Sequence, residues 1–203
     1  MVSASSRSER PLVVATLNRA KGAELVRLLA GLPFVITVLS DMPGASLPDE
    51  TGQSYHENAL LKAHAAARQT GLPALADDSG LEVDALGGAP GIFSARYGGA
   101  ALDDSGRIVR LLEALTGVPD DRRTARFRAV VALVDAGGND TTAEGVVEGV
   151  ITRVPRGTTG FGYDPVFFYP PLGRTFAELT RDETDRVSHR ARAVRALRSF
   201  LGG

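Results

Sequence analysis

The chain has no cysteine and no tryptophan in 203 residues, and only two of its 23 basic residues, Lys21 and Lys62, are lysines. Without cysteine there is no disulfide framework, no thiolate nucleophile and no thiolate metal site. No stretch approaches the run of about 18 apolar residues that a membrane-crossing helix needs, so no membrane partner is expected. Net charge is lacking too: 23 Lys+Arg against 24 Asp+Glu leave −1. That balance argues against a protein that coats nucleic acid, which needs a cationic excess, but leaves a small local anion site open. Residues 1–10, MVSASSRSER, lack the apolar core of a secretion signal and read as a disordered lead-in, so cytoplasmic residence is the expectation.

What is present suits a globular domain. Hydrophobic residues make up 43% and charged residues 23%, ordinary values for a chain with a packed core. A domain of this length buries about 70% of its unfolded surface. The abundance of arginine over lysine accords with GC-rich coding, in which Arg, Ala and Gly rise together. It also directs attention to where the two lysines sit.

Residues 12–15 (LVVA) form an apolar run suited to a buried strand. TLNRAK follows, then Leu25, Leu28 and Leu29 at helical spacing, the opening of an α/β unit. A second strand is expected over 34–39. Ser54 and Glu57 make a capping box for a helix that Gly71 ends. Leu75 and Ala76 end a short strand before ADDSG, and 81–86 alternates as another strand. A helix over about 104–115 has Asp103 or Asp104 as its cap. Two long strands, 125–135 and 145–152, are joined by a GGND turn, and 166–169 is a further strand. A single closing helix spans about 182–201, with Thr180 and Glu183 as a second capping box. The order predicts an α/β mixed sheet with flanking helices, in two lobes around a cleft.

Four groups of residues carry chemistry. Thr16, Asn18 and Lys21 follow the first strand, where free backbone N–H groups and a lysine make an anion site. The same Thr and Asn also serve as plain N-caps, and neither a P-loop nor a GxGxxG fingerprint is present there. Asp77-Asp78-Ser79-Gly80 stands at an expected strand end, where open α/β sheets bind ligands. Adjacent carboxylates repel and need a cation; Mg²⁺ takes one or two carboxylates together with substrate phosphates. An Asx turn is the alternative. The glycine-rich segments 87–99 and 155–165 let backbone approach a ligand, and Phe161, between Gly160 and Gly162, offers a face to a base. Ordinary turns share that composition. Ser188-His189-Arg190 lies beside the apolar stripe of Val187, Ala191, Val194, Leu197 and Leu201. His56, His64 and His189 are dispersed and no HExxH occurs, which weighs against zinc. The residues alone reach a metal-and-phosphate site, and leave the reaction open.

Taken in order, T-L-N-R-A-K, E-T-G-Q-S-Y-H-E-N-A, A-D-D-S-G-L, G-G-A-P-G-I-F-S-A-R-Y, G-F-G-Y-D-P-V-F-F, A-E-L-T and S-H-R resemble the inosine triphosphate pyrophosphatase family, from about Leu12 to the end. The resemblance implies an elongated mixed central sheet, one two-lobed domain over 11–203, a homodimer and dependence on Mg²⁺. It also implies hydrolysis of deaminated purine nucleoside triphosphates (those of xanthosine, inosine and deoxyinosine) to monophosphate and pyrophosphate. Carried over residue by residue, Thr16, Asn18 and Lys21 would hold the triphosphate and Ser79 would contact substrate. Glu50 and Asp78 would bind Mg²⁺. Asp78 would be the general base, with Asp77 as the second catalytic carboxylate. Phe161, Gly162, Tyr163, Asp164, His189 and Arg190 would form the base pocket. Donors that expect a carbonyl are left unpaired by an amino group, which is how such a pocket would reject adenine. The family often carries a lysine four residues before S-H-R; here that position is Thr184, so either Lys21 and neighbouring arginines, Arg186 the candidate among them, supply the charge or triphosphate affinity is reduced. A related pyrophosphatase acting on modified pyrimidine nucleotides and a catalytically silent nucleotide sensor are the other readings. The paired Asp77 and Asp78 argue against the sensor, because a pure anion binder gains nothing from two carboxylates.

Overall fold

The protein is described by a computed structural model covering residues 9–201. Most of the expected lead-in, residues 1–8, lies outside the described residues. Arg10, expected within that lead-in, already opens the first strand. Seven strands form one sheet: β1 (Arg10–Val14), β2 (Phe34–Val38), β3 (Ala74–Val83), β4 (Thr124–Val134), β5 (Asp140–Ile151), β6 (Phe167–Tyr169) and β7 (Arg174–Thr175). Their order is β2-β1-β3-β4-β5-β6-β7. β1 pairs parallel with β2 and β3, and every later pairing is antiparallel. The sheet is therefore mixed, as expected.

Period-two alternation assigns the side chains to two apolar layers. Along β1 and the residue after it, Leu12 and Val14 join one cluster and Val13 and Ala15 the other. Both faces are buried, which is why that strand reads as an unbroken apolar run. One layer is covered by α2 (Tyr55–Thr70), through Ala59, Ala63 and Ala66. The opposite layer is covered by α1 (Arg19–Leu28), through Leu25, and by α5 (His189–Ala196), through Ala193 and Val194. Farther along the sheet, α3 (Asp104–Ala114) packs Ile108 and Leu111 against Leu81, Val83 and Phe127.

The largest departure from expectation concerns β3. The short strand, the polar ADDSG and the alternating 81–86 are one ten-residue strand through Val83, followed by a 3-10 turn at Asp84–Leu86. All ten residues pair with β4, from Ala74↔Val134 to Val83↔Ala125. Asp77 and Asp78 thus lie inside the strand rather than beyond its end, and no Asx turn forms. Polar residues survive there because each carboxylate finds a cation, as described below.

The closing helix is also not continuous. It is α4 (Arg181–Val187), α5 and α6 (Arg198–Leu201), broken at Ser188, whose backbone is extended at φ −62°, ψ 156°. The Ser188 side chain accepts from the Ala191 amide at 3.1 Å and so caps a new helix. Thr180 and Glu183 form the predicted capping box. At α2 the box is displaced: Ser54 caps the Glu57 amide, but the Glu57 carboxylate accepts from Gln53, at 2.7 Å. Gly71 ends α2 in the left-handed region at φ 69°.

α5 lies so close to β5 that Gly145 has no room for a side chain. An added Cβ would press on the His189 carbonyl and lie 2.5 Å from the Ala193 amide nitrogen. Gly145→Ala should therefore force α5 off the sheet and lower stability by about 1–3 kcal/mol. That loss reads as a fall of roughly 2–12 °C in melting temperature. An unchanged melting curve would mean that α5 shifts without cost.

Candidate active site

Because successive side chains on a strand point to opposite faces, Asp77 shares the α1/α5 face with Leu75, and Asp78 shares the α2 face with Ala74 and Ala76. The two carboxylates are adjacent in sequence and turn to opposite faces, yet each feels both Lys21 and Lys62. Each meets its own lysine.

On the first face, Asp77 is 2% exposed. Its Oδ2 lies 3.3 Å from Lys21 Nζ, accepts from Arg190 Nε at 2.9 Å and from Ser79 Oγ at 2.9 Å. Its Oδ1 is buried without a partner among the described residues. Burial alone would raise the Asp77 pKa, but Lys21, Arg190 and Lys62 outweigh it and hold the group far below the usual carboxylate range. Lys21 reaches it from the first turn of α1. Asn18 caps that helix, its Oδ1 accepting from the Ala20 and Lys21 amides at 2.9 and 3.1 Å. Thr16 Oγ1 accepts from the Asn18 amide at 3.1 Å. Thr16 and Asn18 thus do the work of an N-terminal cap, and burial lowers the Lys21 pKa.

On the second face, Lys62 Nζ donates to Asp78 Oδ1 at 2.8 Å and to Glu50 Oε1 at 2.7 Å. Asn58, one helical turn earlier on α2, donates to Asp78 Oδ2 at 3.3 Å. Burial pushes the Asp78 pKa up to about 6, with Glu50 adding to it against the pull of Lys62 and Lys21. Glu50 is lowered, since Lys62 and Lys21 outweigh its burial. Lys62 is raised, because Asp78, Asp77 and Glu50 outweigh its desolvation. Among the described residues no group of three or more His, Cys, Asp or Glu side chains gathers as a metal cluster. Glu50 and Asp78 converge on one ammonium as a pair of oxygen donors.

The break at Ser188 brings His189 and Arg190 inward, both buried. The Arg190 guanidinium is fully engaged: Nε with Asp77, Nη1 with Glu24 Oε2 at 3.0 Å, and Nη2 with Ser79 Oγ at 2.7 Å. Its Cζ also lies 5.2 Å from the Phe161 ring centre, a cation–π distance. Glu24 accepts a second bond from Ser188 Oγ at 3.1 Å. His189 stacks on Phe127 with centroids 4.8 Å apart. Burial pushes its pKa well below the ordinary value, so the ring is neutral near pH 7.

A cavity of about 200 Å³ brings together Asn18, Lys21, Ser79, Phe161, Gly162, Tyr163, Asp164, His189 and Arg190. Thr16, Asp77, Asp78 and Glu50 are not in its wall, and neither are Thr184 and Arg186. The Thr184 hydroxyl instead donates to the Thr180 carbonyl at 3.1 Å. In the Phe161 loop, Gly160 and Gly162 adopt φ +76° and +61°. Asp164 Oδ2 accepts from the Phe161 amide at 3.0 Å, and burial pushes its pKa up to about 7. Tyr163 donates to the Ser94 carbonyl at 2.9 Å.

Sequence reasoning missed Lys62, Asn58 and Glu24. The rarity of lysine was the available signal for Lys62. Glu24 stands three residues after Lys21, hence on the same face of α1. It also missed the part of the cavity wall supplied by Asp104, Arg107 and Phe127, while Ser94 in that wall belongs to the glycine-rich segment 87–99.

The Ham1 family profile matches residues 12–200. A protein of Geobacter sulfurreducens named dITP/XTP pyrophosphatase is 50% identical over 191 residues, 94% of this chain and 96% of that protein. Proteins of the same name from Escherichia coli and Thermus thermophilus are 49% and 52% identical, over 94% and 92% of this chain and 97% and 89% of their own lengths. The solved structure of a HAM1 protein from Coxiella burnetii superposes with a TM-score of 0.84 at 44% identity, covering 95% of this chain and 98% of that one. Matched in sequence and in fold over nearly its whole length, the chain belongs to the Ham1 family.

Proposed function

We propose that this chain is a nucleoside-triphosphate pyrophosphatase that hydrolyses the triphosphates of xanthosine, inosine and deoxyinosine to monophosphate and pyrophosphate, cleansing the nucleotide pool. The observation that carries the reading is the pair of carboxylates on β3, each with its own lysine, beside a cavity with an aromatic and glycine-rich wall. It accords with relatives at about half identity that are named dITP/XTP pyrophosphatases.

In the reaction, water adds at the α-phosphorus and the bond to the bridging oxygen of the β-phosphate breaks. Asp78 takes the proton of the attacking water, because its pKa, raised to about 6, leaves it ionised at neutral pH yet more basic than an exposed aspartate. Lys62 fixes the direction of that carboxylate. Lys21 provides the positive charge on the phosphate side. Asn18 holds its Oδ1 against two helix amides, which leaves its Nδ2 as a donor toward the phosphates. Glu50 and Asp78 offer oxygen donors only, converging on one ammonium. That set fits a hard divalent cation. Bound by Glu50 and Asp78, Mg²⁺ would neutralise charge developing on the phosphate oxygens. Phe161, Gly162, Tyr163 and Asp164 accept the base, with neutral His189 and the Arg190 guanidinium, which lies over the Phe161 ring, beside them. A single two-lobed domain over 11–203, a homodimer and a cytoplasmic setting belong to the same proposal. Among the described residues no helix is long and apolar enough to cross a membrane.

Purified protein with Mg²⁺ and deoxyinosine triphosphate should release monophosphate and pyrophosphate, well ahead of ATP. Equal rates on the two would sink the selectivity. Asp78→Asn should lose about 10²–10⁴ in kcat while keeping its melting temperature; full activity would remove Asp78 as the base. Asp164 gives a pH signature. Its folded pKa lies above the unfolded value, so the native state holds a proton that the unfolded chain has lost, and stability drains away as pH rises from about 4 to 7. Asp164→Asn removes that loss. Its melting temperature relative to the parent should rise between pH 4.5 and pH 8, and a pH-independent difference would show Asp164 to be solvated.

A further inference from the structure

α3 contributes to the cavity wall through its first turn. Asp104 and Arg107 stand three residues apart, hence on one face of the helix, and both line the cavity with Gly162 and Tyr163. The Asp104 carboxylate is divided between two partners. Its Oδ2 accepts from the Gly162 amide at 2.7 Å, and its Oδ1 accepts from Arg107 Nη1 at 3.0 Å. One acid therefore pins both the Phe161 loop and one end of a guanidinium.

The rest of that guanidinium is uncommitted. Arg107 Nε is shielded from solvent with no partner among the described residues, and Nη2 makes no hydrogen bond among them, so the side chain must turn for its Nε–Nη2 edge to meet a ligand in the cavity. The contrast with Arg190 is direct: there every nitrogen is bonded to Glu24, Asp77 or Ser79. A buried N–H without an acceptor costs free energy in the empty protein. The cost is recovered when a ligand supplies the acceptor. The Nε–Nη2 edge presents two parallel N–H donors, the fork that binds paired acceptors in a plane.

We propose that Arg107 is a specificity-determining residue, its Nε–Nη2 edge donating to the O6 and N7 acceptors of a 6-oxopurine base. This rests on the pyrophosphatase reading above and deepens it. Hypoxanthine and xanthine present O6 and N7 side by side, as guanine does, and arginine meets that pair bidentately. Adenine presents N7 beside an amino group, so a donor faces a donor and one N–H of Arg107 stays unsatisfied. The residue would thus reject adenine. It would not reject guanine. Asp104 acts as a positioning residue, holding the fork and the Phe161 loop in register.

The test compares kcat/KM for deoxyinosine and deoxyadenosine triphosphates in the parent, Arg107→Gln and Arg107→Lys proteins, each checked by thermal melting. Arg107→Gln should lose about tenfold to a hundredfold on the deoxyinosine substrate, one good bidentate contact, while the deoxyadenosine rate rises, because the unsatisfied donor is gone and a glutamine amide can pair with adenine N6 and N7, so that the preference collapses. Arg107→Lys keeps the charge but lacks the fork, and should fail to restore the preference. A preference preserved in both variants, or an equal loss on both substrates, overturns the proposal. Should Arg107→Gln melt below the assay temperature, the lysine variant decides alone by the same ratio. A parent protein inactive on deoxyinosine triphosphate would instead overturn the pyrophosphatase reading.

Discussion

The pleat of β3 is the constraint on which the rest depends. Two carboxylates in sequence cannot sit side by side in a dry interior without one taking up a proton. A β-strand solves this by turning them to opposite faces, and each face then needs its own cation. Lys21 from α1 and Lys62 from α2 supply them, at 3.3 and 2.8 Å. The helices that cover the two apolar layers are therefore the helices that neutralise the strand. Removing either lysine would leave a buried charge unpaired, which costs several times what an exposed pair contributes.

That arrangement makes the two acids chemically different, although they are neighbours of one type. Asp77 is surrounded by Lys21, Arg190 and Ser79 and stays ionised at any working pH. Asp78 faces Glu50 as well as Lys62, and burial sets its pKa near 6. Environments that push two like groups apart in this way separate a structural anion from a working base. The choice of lysine follows the same logic. Arginine's planar fork suits shared, multidentate anchoring, as Arg190 shows with three acidic or hydroxyl partners. A compact ammonium suits a point contact that substrate or metal can join. In a chain with 21 arginines, both lysines stand at the two aspartates.

Much of the fold was legible because it rests on local patterning. The apolar run of β1, the caps at Ser54 and Thr180 and the Gly71 terminator all follow from residues within one turn of each other. The Thr16–Lys21, Asp77–Ser79, Phe161–Asp164 and His189–Arg190 groups were legible for the same reason. The errors share one cause. ADDSG looks like a loop because a strand interior made of charged residues is stable only with partners far away in sequence. The closing helix looks continuous because nothing near Ser188 reveals that Glu24 lies opposite it. Lys62 stands out in the sequence only as a compositional rarity, since its acceptors lie 12 and 16 residues away, outside its own helix.

The break at Ser188 shows how far such a requirement can reshape local structure. An unbroken helix would satisfy more backbone hydrogen bonds. It would also carry Arg190 along the outside of the stripe formed by Val187, Ala191 and Val194. Re-capping at Ser188 returns one amide bond through the serine hydroxyl and turns Arg190 toward Asp77. The ties that result are among the longest in the chain: Arg190 to Asp77 spans 113 residues, Ser188 to Glu24 spans 164 and Arg190 to Glu24 spans 166. Closing so long a loop has an entropic cost that the packing of the sheet and α1 must offset. The cavity wall is consequently completed by the last element of the chain. Its shape reports the integrity of the whole fold rather than of any one motif.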